Sequence, residues 1–191
     1  NVGDTTYVNS GYTACRAHDG GFLIGGEIQP YDPPNGQPTH PYLIKLDSAG
    51  NKLWDTIYYQ YGNSARTWIT EIKHSAINNG YYFTATYENA GYNCGNILFS
   101  YINEAGDVVK DTIINTAQGE VAGSFVICKD GGFLLGGTQY DNFVVNGKRG
   151  LLIKLNANWE TEWIYDTVRI GGAFVKCLLE TADSSFILGG Y

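Results

Sequence analysis

Three histidines, four cysteines and a few scattered acids are the side chains of this chain that could carry catalysis or bind a metal. His18 and His74 fall beside short turns, whereas His40 falls in a long loop. They are not expected to converge into a metal or catalytic centre. Neither a GlyXxxSerXxxGly elbow nor a HisGluXxxXxxHis pair occurs. Asp32, Glu88 and Asp141 are the carboxylates that could meet, as a Ca²⁺ site or a glycoside-cleaving group. They belong to separate repeats, and the plainer reading is three solvated acids. The chain is better equipped for binding. Tyr31, Tyr92, Tyr140 and Phe143 offer aromatic faces to a sugar ring or an apolar side chain. Asp32, His40, Asn93, Asp141, Asn142 and Arg149 offer directional hydrogen bonds. These ten residues form the candidate binding site. No catalytic residue, metal ligand or cofactor is assigned.

The elements that must position them come from a repeat. AspGlyGlyPheLeuIleGlyGly at 19–26 returns as AspGlyGlyPheLeuLeuGlyGly at 130–137 and, weakened, as AspSerSerPheIleLeuGlyGly at 183–190. AsnGlyTyrTyrPheThrAla at 79–85 is a degenerate copy. Aligning Phe22, Tyr81, Phe133 and Phe186 gives steps of 59, 52 and 53 residues. A period of about 40 to 55 residues built from short strands predicts a propeller or array. Each repeat divides into four strands rich in Val, Ile and Tyr, with no helical periodicity competing. Gly50 and Gly106 suit the turn between third and fourth strands, and Trp159 near that place predicts a different turn in the third copy. An AspThr pair marks each fourth strand, at Asp4, Asp55, Asp111 and Asp166.

The predicted fold is therefore all-β, a β-propeller of four-stranded antiparallel blades with about three and a half blades covered. The expected division is 1–11 for the last strand of a preceding blade, 12–65, 66–121 and 122–172 for three blades, and 173–191 for half of another. Met is absent and both ends fall inside repeats, so part of a larger ring is expected. Strand alternation puts first-to-second and third-to-fourth turns on one rim, where all are short. Second-to-third and inter-blade connections share the other rim, where every long loop lies. All five prolines stiffen the first of these loops. Long loops held on one rim of a rigid scaffold are where repeat proteins place binding.

A net charge of −7 and a pI near 4.8 argue against nucleic acid. No stretch reaches the roughly 18 apolar residues of a membrane helix. Cys15, Cys128 and Cys177 precede the repeat aspartates by even numbers and so share one strand face. They read as buried free thiols rather than a disulfide framework, with Cys94 in a loop as the exception.

The run GlyGlyPheLeuIleGlyGly followed by TyrLeuIleLysLeuAspSerAlaGlyAsnLysLeuTrp resembles the β-propeller repeats of large exported bacterial proteins, many of them Bacteroidota-type with a C-terminal sorting domain. The segment Asp47 to Trp54 is also distantly similar to quinoprotein-like blades, although one residue shorter. The resemblance implies a secreted or cell-surface location and further blades of the same polypeptide. With the loop asymmetry, the expected function is non-catalytic binding of a protein or glycan at the surface. Two alternatives stand beside it: part of a propeller enzyme acting on polysaccharide or using a quinone, with its catalytic residues in other blades, and a structural subunit of a surface assembly.

Overall fold

The computed structural model describes residues 7–30, 38–61, 66–88, 95–116, 118–140, 147–168 and 174–191. They form fourteen strands and one turn of 3-10 helix, Tyr59–Tyr61. Strands β1 (Tyr7–Arg16), β2 (Phe22–Pro30), β3 (His40–Leu46) and β4 (Lys52–Ile57) make an antiparallel meander in that order. So do β5 (Thr67–His74), β6 (Tyr81–Glu88), β7 (Gly95–Ile102) and β8 (Val108–Ile114). A third meander comprises β9 (Gly119–Ile127), β10 (Phe133–Tyr140), β11 (Lys148–Leu155) and β12 (Thr161–Val168). The last two strands, β13 (Val175–Glu180) and β14 (Phe186–Gly190), pair as a hairpin. One bridge, Gly95 to Glu120, ties the second and third meanders together. The fold is all-β and antiparallel, and no sheet closes on itself among the described residues.

Strand limits depart from expectation at two places. Residues 7–11 continue β1 rather than ending a preceding unit, and the expected division at 121/122 falls inside β9. Both first strands run further back than their apolar alternation suggests, because each contains a bulge that interrupts it. The AspThr pairs at Asp55, Asp111 and Asp166 do lie in β4, β8 and β12, while Asp4 is outside the described residues. Their carboxylates have partners: Asp55 accepts from the Tyr42 hydroxyl at 2.5 Å, Asp111 from that of Tyr61, and Asp166 lies 3.7 Å from Arg149.

The repeated AspGlyGly phrase closes the first hairpin of the first and third meanders. Gly20 and Gly131 take φ of 81° and 82°, and Asp19 and Asp130 accept a hydrogen bond from the backbone N–H of Gly21 and Gly132. The same aspartates meet a lysine from the third strand. Lys45 is 2% exposed and lies 2.6 Å from Asp19; Lys154 lies 2.8 Å from Asp130. The lysine bond, then the glycine N–H, holds both aspartates below the usual carboxylate range. Third-to-fourth turns also share one design. Asp47, Asn103 and Asn156 each accept two backbone N–H bonds, and the third copy does not differ as expected. Trp159 adopts φ of 74° where Gly50 and Gly106 stand at 88° and 87°. Left-handed backbone costs a bulky residue about 1–2 kcal/mol. The Trp159 ring offsets this by packing 4.7 Å from Phe99, beneath the Lys110 ammonium.

The sheets pack face to face through apolar layers. Leu23, Leu43, Ile69, Ile72 and Phe83 fill the first interface, and Phe99, Phe125, Phe133, Leu135 and Ile153 the second. Cys128, Leu134, Val175 and Leu178 fill the third. Gly25 and Gly136 let the next sheet come close, since a Cβ there would stand 2.5 Å from Ile72 and 2.7 Å from Val175. Trp54 reaches across between the sheets, against Gly106, whereas Trp163 at the equivalent repeat position is 42% exposed. Cys15 and Cys128 pack into these layers, and Cys177 is exposed, so the expected shared burial holds for two of the three.

Candidate functional site

Of the ten candidate residues, Tyr31, Asp32, Tyr92, Asn93, Asp141, Asn142 and Phe143 lie outside the described residues. The other three belong to strands rather than loop tips. His40 opens β3, is buried, and packs edge-on against Tyr59 at 4.9 Å; burial lowers its pKa. Arg149 lies in β11 beside Asp166. Tyr140 ends β10, also buried, with Lys148 5.3 Å from its ring centroid. Of the three acids considered together, Glu88 is described, and it is a buried residue at the end of β6. His18 and His74 stack at 5.9 Å, closer than expected, because the first two hairpins lie side by side; His40 is not part of that stack. Among the described residues no group of three or more His, Cys, Asp or Glu could hold a metal ion. No helix there is long and apolar enough to cross a membrane.

What the fold does bring together comes from the first strand of every sheet. β1, β5, β9 and β13 each carry a bulge in their pairing with the second strand, with register slips at Gly11/Thr13, Ile69/Glu71, opposite Leu135/Gly137, and Val175/Cys177. A bulge admits one extra residue and re-aims its side chain. Here the residues at the bulges include Tyr12, Thr70, Gly123 and Lys176, and all four line one cavity of about 540 Å³. Trp68, Val121 and Phe174, each two residues before a bulge residue, also line it, with Ile69 and Ala122. Tyr140 packs behind them with Val121, Trp68 and Phe174 and does not itself line the cavity. The bulges of β5 and β13 fall within three residues of the strand start and those of β1 and β9 near mid-strand, so the cavity extends from the side of the longer connections to the middle of the sheets.

The polar groups around the cavity are arranged in pairs. The Tyr12 hydroxyl donates to Glu27 at 2.5 Å, and burial followed by that bond raises the Tyr12 pKa. Arg66 lies 3.5 Å from Glu27 and 5.5 Å from the centroid of Trp68. Lys176 stands over Phe174 at 4.7 Å and over Tyr191 at 5.5 Å, with no carboxylate partner among the described residues. The Thr70 hydroxyl is engaged with Thr84. The signal for this site in the sequence is Tyr12, Thr70 and Lys176, each out of step with the apolar alternation of its first strand.

Next to the Gly95 bridge lies an acid of another kind. Glu120 is fully buried; Thr116 donates to it through its hydroxyl and its backbone N–H, and Oε2 has no hydrogen-bond partner. Burial pushes its pKa up to about 7 from an ordinary 4.5. A raised carboxyl pKa means the folded state holds the proton more tightly. Stability is therefore expected to fall as pH rises from about 4.5 through about 7, and to level off above. Glu120→Gln should remove that slope and stabilise the fold by about 2 kcal/mol at about pH 8. Urea denaturation across this range checks it; identical profiles for the two proteins would contradict it.

No family model matches the sequence, and no curated protein matches it. A solved structure of a protein of unknown function from Bacteroides caccae is similar in fold, with a TM-score of 0.55 at 11% sequence identity. The likeness covers 97% of this chain and 57% of that one, so this chain spans a little over half the length of that neighbour.

Proposed function

We propose that this chain is a segment of a β-propeller at the bacterial surface or secreted from it, binding a protein or glycan at the rim of its long connections without catalysing a reaction. Three four-stranded meanders of one design, stacked face to face and followed by a hairpin of the same kind, support the propeller reading. The observation that carries the binding reading is the convergence of four bulged strands on one cavity. The same backbone device recurs in each sheet with a different side chain, Tyr, Thr, Gly or Lys. A purely structural repeat would have no use for that variety. Glu27, the acid bonded to the cavity's Tyr12, is committed to that hydroxyl and to Arg66, which suits recognition better than proton transfer.

An array of bacterial and host polysaccharides, with surface proteins printed beside them, tests the reading. The chain is expected to bind at least one class, and the double variant Tyr31→Ala, Tyr92→Ala to lose about tenfold or more in affinity while keeping its melting temperature. Unchanged binding by that variant would overturn the rim assignment. Shortened polysaccharide after incubation would overturn the non-catalytic part.

A further inference from the structure

We infer that the cavity between the four first strands is a subsite for an acidic saccharide, one whose ring carries a carboxylate. This rests on the binding reading above and names its ligand class. A volume of about 540 Å³ lies within the range of small-molecule sites and suits one or two sugar rings. Three of its lining residues, Tyr12, Trp68 and Phe174, are aromatic and present apolar surface of the kind a sugar's C–H face covers. The charge around it runs against the rest of the molecule. The chain carries −7 overall, yet the charged side chain in this cavity's lining is Lys176, while Arg66, Glu27 and Glu88 interact with one another beside it. Arg66 is matched by Glu27 at 3.5 Å. The Lys176 ammonium has aromatic rings and no carboxylate against it among the described residues, so the unmatched charge is its own.

Its position makes this more than a stray surface lysine. Lys176 is the extra residue of the β13 bulge, the counterpart of Tyr12 and Thr70, and the bulge turns it toward the cavity. Opposite it, Gly123 stands where any Cβ would strike the Val175 carbonyl at 2.0 Å, so β13 lies tight against β9 at this point. A carboxylate entering beside the rings would meet Lys176 with a charge-assisted bond, worth about twice a neutral one.

Calorimetric titration with trimers of galacturonate, glucuronate and mannuronate, each beside its methyl ester, tests the inference. At least one acidic trimer should bind, its neutral ester about tenfold more weakly, and about 0.5 M NaCl should weaken the acid but not the ester. Lys176→Gln, at an exposed position, should fold normally and lose about tenfold for the acid alone. Equal binding of acid and ester, or an unaffected Lys176→Gln protein, would overturn the acidic subsite while leaving glycan binding at the rim intact. Binding that survives Lys176→Gln but fails in the Tyr31, Tyr92 double variant would move the site to the loops and overturn it too. Failure of every trimer, with array binding retained, would do the same.

Discussion

Phe99→Ala is expected to destabilise the fold by about 3–5 kcal/mol, the largest single loss available to a side-chain truncation here. Phe99 is fully buried between the second and third sheets. Its ring lies 4.9 Å from Phe133, 5.5 Å from Phe125, 5.9 Å from Tyr82 and 4.7 Å from Trp159. Residues on three strands and a turn would thus face the void, and none can fill it without leaving its own neighbours. Trp159 would lose most, since that contact is what compensates its left-handed backbone. Phe99→Leu, closer in volume, should cost about 1 kcal/mol. Urea unfolding followed by tryptophan fluorescence would read both, and a loss under about 1.5 kcal/mol for the alanine variant would show the interface to be loosely packed.

Gly132→Ala is expected to cost about 3 kcal/mol, for a reason unrelated to backbone freedom. Its φ is not positive; the constraint is space. A Cβ at Gly132 would stand 2.3 Å from the Leu155 carbonyl and 2.7 Å from the Lys154 ammonium. Gly21 and Gly80 repeat the restriction, at 2.1 Å from the Leu46 carbonyl and 2.3 Å from that of Ile102. The methyl group could enter only by prising the third strand from the second, which would also part Lys154 from Asp130. In the final hairpin the same place is held by Ser185, where no third strand is paired among the described residues. Ser185→Ala is thus the internal control, with an expected change within about 0.5 kcal/mol. Thermal denaturation of the two variants side by side decides the matter, and equal effects would refute the steric account.

These glycines show how far a sequence of this kind can be read. AspGlyGly announces a turn, and Gly20 with its positive φ is legible as turn chemistry. Its neighbour Gly21 is required by a strand some 25 residues away, which no local signal records. The all-β class and the four-strand meanders followed from periodicity, because each hairpin is local and its turn residues are strong. The bulges did not, since one extra residue in a strand looks like a lapse in alternation and not like a side chain turned to new use. For the same reason Trp68 and Lys176, which line the cavity, were not singled out, while His40 and Tyr140, named for the long-loop rim, are buried strand ends. Trp159 misled differently: its ring contacts outweigh the backbone preference from which a different turn was expected.

Every sheet draws its strands from consecutive stretches of chain, and among the described residues the backbone ties from one meander to the next are few, the Thr67 N–H to Thr39 carbonyl bond and the Gly95–Glu120 bridge. Pairing decisions made in one unit therefore impose nothing on the register of the next. Such a molecule can gain or lose a whole unit by gene duplication or deletion without any strand having to find a new partner. It can also fray from the end hairpin inward, in steps, while the sheets behind it stay paired.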